Sequence, residues 1–480
     1  MSTPSASDLY LDINNPEYMP RGEVLISALA ARNFEVDDFE EGRAEGRIYR
    51  TTSRRLQNVR LVCTDPYWPS SPNDSQAWSE ALRDAGLIGE DLDEAALVAA
   101  GALAGLESKV GKAQAATPMT PALAMLQNTR GVVARQSPYN VGAAIERMYS
   151  LGGAGLSVED QSVTAADQWT RAVEGRLEAD KLLKVLDEGA KNALLRNFSR
   201  KENSSPESGS TRVIASLGPD TPFAWFRLAW DRLNSPAWVE ALPARSWTDW
   251  ATTVIRAGLS FGYLWEIRWY EAIARKVLLG GDDLQEVGWE DLLADVDRDG
   301  PLLKWVDGAE PVSQRDVAAW LRAKCLTYSA LQEEVKTCFA DASDDAVGEA
   351  LSKASRDPNK RKHFHRALQQ SGTNENCLEL VRHMFLKGDE LGRYADHYGL
   401  LEKVGRRWSV VNPATEWIAV VASLSRDDPN AVNTLDDVAA SIKRLGMAPG
   451  INELTKHLAL AGLARGAPDA DGAVLVRSAY

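Results

Sequence analysis

The sequence predicts a mainly α-helical, multi-domain protein with a small N-terminal α/β element. Apolar residues recur at helical spacing over most of the chain beyond residue 70, and ten of the fifteen tryptophans lie in helix-like segments between Trp225 and Trp320. Strand-like alternation is concentrated in the first 65 residues. A length of 480 residues corresponds to about three domains of ordinary size.

The N-terminal element is predicted to occupy residues 1–70. Its segments "LYLDI", "GRIYRTT" and "NVRLVC" are rich in alternating or β-branched residues and indicate strands, whereas "GEVLISALAARN" indicates a helix. The stretch "DPYWPSSPND" contains three prolines and two serines, which are typical of a turn or loop. We therefore expect the element to end near residue 70.

A helical domain is predicted over 71–198, followed by a linker or mobile loop at 199–211. Apolar residues of 164–198 recur at steps of four or five, which indicates one apolar helix face. They are Trp169, Val173, Leu177, Leu182, Leu186, Ala190 and Leu194. The segment "SRKENSSPESGST" that follows is polar, serine-rich and without periodicity, as linkers are.

The tryptophan-rich region, 212–345, is predicted to be a third helical unit. Tryptophan buries a large area and needs a single polar partner, so its side chains usually belong to a core or an interface. An exposed platform on which nucleic-acid bases stack is the alternative, but few lysines or arginines are interleaved with these tryptophans. We expect the tryptophans to form the core.

Two segments near the C-terminus share the pattern E-L-x7-G-L: "ELGRYADHYGL" at 390–400 and "ELTKHLALAGL" at 453–463. Each is preceded by a helix-like segment and followed by a short strand-like one, "WSVV" at 408–411 and "AVLV" at 473–476. A glycine after a helix adopts the left-handed conformation easily, and the next leucine packs back on the last turn. The pattern predicts a helix pair followed by a hairpin, twice.

This arrangement resembles the winged-helix family of helix-turn-helix domains and covers about 374–480. The resemblance implies a basic winged-helix-like domain at 346–425, with hairpin tip "KVGRR", and an acidic one at 426–480, with tip "GAPDADG". Two unrelated helical hairpins are the alternative. No residue of a family motif carries over, only the roles of the helix face and the hairpin.

Positive charge is concentrated within the first of these domains. Residues 353–407 contain twelve lysines and arginines against seven acids, whereas the whole chain has a net charge of −14. Exposed basic side chains contact nucleic-acid phosphates. The predicted DNA-binding residues are Lys360, Arg361, Lys362, Arg366, Arg393, Lys403, Arg406 and Arg407. The predicted reading helix carries Asp389, Glu390 and Asp396, so protein docking and a simply solvated basic face remain alternatives.

Candidate metal and catalytic motifs are incomplete. "DVDRDG" at 295–300 begins like a calcium-binding loop, but Val306 occupies the position that requires glutamate. His363, His365, Cys377 and His383 match no zinc-finger spacing. Phosphate-binding loops with lysine, nucleophile elbows and metalloprotease motifs are absent from the sequence. We expect no metal, no cofactor and no catalytic residue, with an enzyme of unrecognised type as an alternative.

The sequence also predicts a cytoplasmic location. Four scattered cysteines form no disulfide framework, and the N-terminus lacks the basic and apolar regions of a secretory signal. The longest apolar run, 95–106, has 12 residues, which suits a buried helix and is too short for a membrane span.

The predicted function is that of a non-enzymatic, DNA-contacting subunit of a bacterial multi-protein complex. Chromosome maintenance and antiviral defence against foreign DNA are the two settings considered, by analogy with other motif-poor helical proteins that carry winged helices. The alanine-, glycine- and arginine-rich composition is typical of a GC-rich bacterial genome. The alternative is a scaffold whose winged helices dock other protein subunits.

Overall fold

The computed structural model describes residues 5–16, 22–35, 49–51, 61–63, 83, 117–125, 138–153, 156–194, 198–201, 217–342, 345–369, 375–386, 397–466 and 474–480. Over these residues the protein is mainly helical, as predicted. Four predicted features lie wholly or partly outside them: the apolar run at 95–106, the linker beyond residue 201, the reading helix up to residue 396 and the acidic tip at 467–473.

Nineteen α-helices occur in the described part of the chain. The first nine are α1 (Gly22–Asn33), α2 (Pro121–Met125), α3 (Pro138–Leu151), α4 (Val158–Ser162), α5 (Ala165–Ala179), α6 (Lys181–Leu194), α7 (Pro222–Leu233), α8 (Pro236–Ala241) and α9 (Ala244–Leu279). The others are α10 (Trp289–Arg298), α11 (Val312–Arg315), α12 (Ala318–Cys325), α13 (Tyr328–Phe339), α14 (Val347–Arg356), α15 (Pro358–Gln369), α16 (Asn376–Phe385), α17 (Thr415–Ser423), α18 (Leu435–Arg444) and α19 (Ile451–Leu460).

The strands are short. They are β1 (Phe34–Glu35), β2 (Tyr49–Thr51), β3 (Leu61–Cys63), β4 (Ser199–Arg200), β5 (Leu401–Val404), β6 (Trp408–Val411), β7 (Asn433–Thr434), β8 (Ala464–Gly466) and β9 (Val474–Val476). They form three antiparallel pairs, β1-β4, β2-β3 and β5-β6, and one three-stranded sheet of order β7-β9-β8. The strands predicted near 49–51, 61–63, 408–411 and 474–476 are therefore confirmed.

Helix α9 lies at the centre of the described core. It has 36 residues, a length of about 54 Å, and nearly every side chain from Trp247 to Val277 is buried. Of the ten tryptophans of the tryptophan-rich region, nine are buried and Trp320 is half-buried. The prediction that these tryptophans form the core is confirmed.

The predicted strand "LYLDI" is wrong. Residues Ala6–Leu9 form a 3-10 helix, and Asp12 has a left-handed backbone with φ 53°, which a strand does not accommodate. Leu9, Leu11 and Ile13 are fully buried, and their alternation with polar residues reflects extended chain that threads through a core. The carbonyl groups of this segment accept hydrogen bonds from side chains of other elements, not from a neighbouring strand.

The predicted apolar face over 164–198 is divided between two helices. Asp180 separates α5 from α6, and its carboxylate accepts hydrogen bonds from the backbone N–H groups of Leu182 and Leu183. Such a side-chain cap starts a new helix. The rotation between the helices buries Leu183, while Leu182 is half-buried.

The last 66 residues contain a helix (α17), a short strand (β7), two helices (α18 and α19) and an antiparallel hairpin (β8-β9). Both α18 and α19 end at left-handed glycines, Gly446 and Gly462. After α19, the Leu463 N–H bonds to the Leu458 carbonyl and the Leu463 side chain is buried, as the pattern predicts. The unit packs on the helical core, where the Trp225 indole N–H donates to Ser441 Oγ at 3.0 Å.

Within the part of the chain that the structure describes, none of the helices combines the length and the apolar character needed to cross a bilayer.

Candidate nucleic-acid interface

A groove of about 230 Å³ lies where α12, α16 and the β5-β6 hairpin meet. We call it the basic groove. Its walls come from three stretches of chain: α12, α16 with Leu386, and both strands of the hairpin with their turn. The hairpin is fixed by the Val317 N–H, which donates to the Ser409 carbonyl at 2.8 Å, and by the Ser409 N–H, which donates to Asp316 Oδ1 at 2.9 Å.

The floor of the basic groove is apolar. Four leucines form it, and each is buried in the core: Leu321, Leu378, Leu386 and Leu401. The half-buried indole of Trp408 lines the same space. Below the floor, the thiols of Cys325 and Cys377 contact each other between α12 and α16, and burial raises the pKa of Cys377 well above its usual range. The floor therefore lies on the buried contact between α12 and α16.

The rim of the basic groove carries five positive side chains. They are Arg322 of α12, Arg382 of α16, Lys403 of β5, and Arg406 and Arg407 of the hairpin turn. All five are exposed. The Arg407 guanidinium lies over the Trp408 ring, 4.7 Å from the ring centroid. Gly405 begins the turn with φ 63°, a left-handed conformation that brings both arginines to the tip.

Two acidic side chains near the basic groove, Glu402 and Glu375, face away from it or lie at its edge. The carboxylate of Asp316 accepts hydrogen bonds from the backbone N–H groups of Ala318 and Ser409. Alternate residues of a strand point to opposite faces, so Leu401 and Lys403 face the groove while Glu402 faces away and accepts a hydrogen bond from Asn412. Glu375 bonds to Arg322 at 2.9 Å, but both side chains are about half exposed, so solvent screens this pair. None of the described residues that line the groove is acidic.

The predicted DNA-binding residues fall into two groups and one exception. Lys403, Arg406 and Arg407 meet in the basic groove. Four others lie on α15 and do not line the groove: Lys360, Arg361, Lys362 and Arg366. Helix α15 packs against α9, α13 and α14. Arg361 donates to the Leu278 carbonyl, whereas Lys362 and Arg366 are exposed one turn apart. Arg393 lies outside the described residues.

Sequence reasoning missed two members of the rim. Arg382 belongs to the basic segment but was not singled out, because nothing in its neighbourhood places it near the hairpin. Arg322 precedes that segment by about thirty residues. The signal that could have found it is the helix "AAWLRAKC", in which Leu321 and Cys325 lie on the buried side and Arg322 follows Leu321 at its border.

The second C-terminal unit presents a different surface. The exposed side of α19 carries Ile451, Asn452, Lys456 and Leu460. Lys456 lies 3.6 Å from the carboxylate of Glu453, and the ends of the helix expose Ile451 and Leu460 to 65% and 70%. This helix therefore lacks the positive surface of the first unit.

The candidate metal ligands are engaged elsewhere. Asp295 bonds to Lys276 and Arg298, and Asp299 to Arg275. His363 lies beside Glu334, His365 beside Gln369, and His383 beside Glu379. In the described part of the chain, no three histidine, cysteine or acidic side chains are grouped closely enough to hold a metal ion.

Comparison with known proteins gives no family: no protein-family model matches the chain, and no curated protein matches it in sequence.

Proposed function

We propose that this protein is a DNA-contacting subunit of a bacterial multi-protein complex and that the basic groove is its nucleic-acid interface. The observation that supports the proposal is the concentration of five exposed cations around one concave surface, in a chain whose net charge is −14. Like charges held together repel each other. A polyanion that binds across the groove removes this repulsion and releases its own counterions.

The arrangement of elements supports a winged-helix reading of the C-terminal region. Helix α17, strand β7, helices α18 and α19 and hairpin β8-β9 follow one another in the order that winged helices have, and β9 pairs with both other strands. In the first unit, α16 precedes the basic hairpin. We propose that the basic hairpin acts as a wing, which contacts the phosphate backbone through Arg406 and Arg407.

The double variant Arg406→Ala/Arg407→Ala tests this function. We expect it to weaken binding of a fluorescent DNA duplex at least tenfold in about 50 mM salt, because two phosphate contacts are lost. The slope of log affinity against log salt should also decrease in magnitude by about 1.8, that is, 0.9 for each lost contact. Fluorescence anisotropy over a series of salt concentrations measures both quantities.

The matched control is Lys181→Ala/Lys184→Ala on α6. These lysines are exposed, and the variant removes the same charge at a distance from the groove. It should bind DNA as the unmodified protein does. If both variants weaken binding equally, the interaction depends on net charge alone and the groove is not the interface. If the unmodified protein does not bind DNA at low salt, the proposed function is wrong.

Docking of another protein is the second candidate, supported by the exposed apolar residues Ile451 and Leu460 of α19. In this scaffold function the second unit holds a neighbouring subunit, and the basic groove is a solvated surface. The scaffold function replaces the DNA-contacting function if the protein binds neither duplex nor single-stranded DNA.

A further inference from the structure

The basic groove has two chemical parts that a duplex backbone would not use together. Its rim is cationic, and its floor consists of four leucines and the indole of Trp408. Phosphates and sugars of a duplex engage cations but leave apolar surface uncovered, because the faces of paired bases are hidden within the stack. A ligand that satisfies both parts carries phosphates and also offers a planar apolar group.

We infer that the basic groove accepts an unpaired nucleotide of a nucleic-acid strand, with its base stacked on the Trp408–Arg407 pair and its flanking phosphates on the rim. This inference rests on the proposed function and narrows it from DNA in general to single-stranded segments or ends. Unstacked bases pack against aromatic rings and against guanidinium planes, and both groups are adjacent here, with the Arg407 guanidinium 4.7 Å from the centroid of the Trp408 ring.

The size and spacing of the groove support a strand. A volume of about 230 Å³ lies below the usual range of about 300–1,000 Å³ for sites that enclose a whole drug-sized ligand. The five cations come from the last turns of two helices and from a hairpin, so they surround the floor from three sides and offer more than one phosphate contact. A free nucleotide would reach only part of this rim.

The test compares three labelled DNAs of about 16 nucleotides on the full chain by fluorescence anisotropy: a single strand, a blunt duplex, and a duplex with an unpaired end. We expect the single strand and the unpaired end to bind about 5- to 150-fold more tightly than the blunt duplex, the range that stacking of one base contributes. Unlabelled AMP and poly-glutamate serve as competitors and should displace the strand only weakly.

Variants of Trp408 separate stacking from packing. Trp408→Phe retains an aromatic face and should keep the preference for unpaired DNA, whereas Trp408→Leu retains apolar volume and should lose it. Thermal unfolding of the two variants shows whether both fold, and their binding to the blunt duplex should be equal.

Each contrary result has a distinct meaning. Equal affinity for single strand and blunt duplex, or equal behaviour of the two Trp408 variants, overturns the unpaired-nucleotide site and leaves the DNA-contacting function standing. Displacement by AMP or poly-glutamate at matched phosphate or carboxylate concentration also overturns it, in favour of a free nucleotide or an acidic protein segment. Failure of all three DNAs to bind removes the proposed function itself.

Discussion

Glu266 is a carboxylic acid in the middle of the apolar core, on helix α9. It accepts hydrogen bonds from the hydroxyl groups of Tyr270 at 2.6 Å and Tyr328 at 2.8 Å, and Gln332 lies 3.4 Å away. Burial raises its pKa to about 8, although these hydrogen bonds and the positive charge of Arg147 favour the ionised form. The folded protein therefore holds this proton at pH values where an unfolded chain releases it.

We expect this proton to make the stability depend on pH. In the unfolded chain Glu266 ionises near pH 4.5, and in the folded protein near pH 8. Its contribution to the free energy of unfolding is thus complete below about pH 4.5 and is lost progressively as the pH rises toward about 8. Glu266→Gln removes this dependence. The difference in melting temperature between this variant and the unmodified protein should therefore shift in favour of the variant as the pH rises from 5 to 9.

Differential scanning fluorimetry at pH 5, 7 and 9 measures the effect. Glu146→Gln is a useful comparison, because burial raises the pKa of Glu146 to about 7 and its advantage should level off at a lower pH. Parallel pH profiles for the unmodified protein and Glu266→Gln would show that Glu266 is ionised in the fold.

At the residue level, charge at the hairpin tip was predictable and the buried network was not. Arg406 and Arg407 adjoin a glycine between two strand-like segments, so a local turn signal exposes them. Glu266 lies in an ordinary helical sequence, and its partners Tyr328 and Gln332 come from a helix more than sixty residues away. No local pattern reports such a contact.

Among the elements, the ends of α18 and α19 offer a matched pair of glycines. Both adopt left-handed backbones, with φ 90° for Gly446 and 72° for Gly462. A side chain at Gly446 would meet Leu302 at 2.5 Å, whereas the space around Gly462 is open within 4 Å. A side chain would therefore cause backbone strain at both glycines and a steric clash at Gly446 alone.

Replacement of each glycine by alanine should separate these two effects. Gly462→Ala should cost about 1 kcal/mol of unfolding free energy through strain alone. Gly446→Ala should cost about 1–3 kcal/mol more, because Leu302 must move in a packed core. Thermal unfolding of the two variants gives the comparison, and equal losses would mean that Leu302 adjusts without cost.

Local signals explain which elements sequence reasoning identified. The helix Gly22–Asn33 is marked by a run of helix-favouring residues, and the hairpin of β5 and β6 and the glycine end of α19 are marked by turn residues within about ten positions. The segment "LYLDI" was wrongly predicted as a strand, because the same alternating pattern occurs in strands and in extended buried chain. The division at Asp180 coincides with the one five-residue step of the stripe, from Leu177 to Leu182, and a step of that size also fits a single continuous helix.

At the level of the whole molecule, the N-terminal segment is bound into the core by hydrogen bonds to its backbone. The carbonyls of Leu9 and Ile13 accept from Trp269 and Gln332, and those of Leu11 and Asn14 accept from the side chains of the buried residues Arg147 and Tyr263. Leucine and isoleucine side chains of the same segment fill the space beside α9. Distant parts of the chain are joined by this one segment.

Deletion of residues 1–16 should therefore abolish stable folding. Each of the four donors loses an acceptor, and a buried donor that finds no replacement costs about 1–3 kcal/mol, in addition to the lost apolar burial. Deletion of residues 1–4 is the control, since these four carbonyl groups all lie beyond it. Soluble yield and thermal unfolding of the two products provide the measurement. A 1–16 deletion that unfolds with the unmodified melting temperature would contradict the prediction.

Only the hairpin part of the basic groove could be predicted from the sequence. Sequence reasoning identified the charged hairpin, but three of the four floor leucines and two rim arginines come from the α12 and α16 stretches, which only the fold brings beside it. Basic residues of α15 contribute to the positive charge of 353–407 but do not line the basic groove. Charge counts along a chain identify a basic stretch, whereas a binding surface depends on which distant helices pack against it.

The basic groove takes one wall from α12, which ends about twenty residues before the region 346–425 begins. A fragment cut to that region would keep the arginine-tipped hairpin and lose Leu321 and Arg322. It would still attract nucleic acid weakly through its charge, yet discrimination between paired and unpaired DNA should disappear. Screening of excised pieces would thus report a nonspecific binder, and selectivity would emerge only from the intact polypeptide.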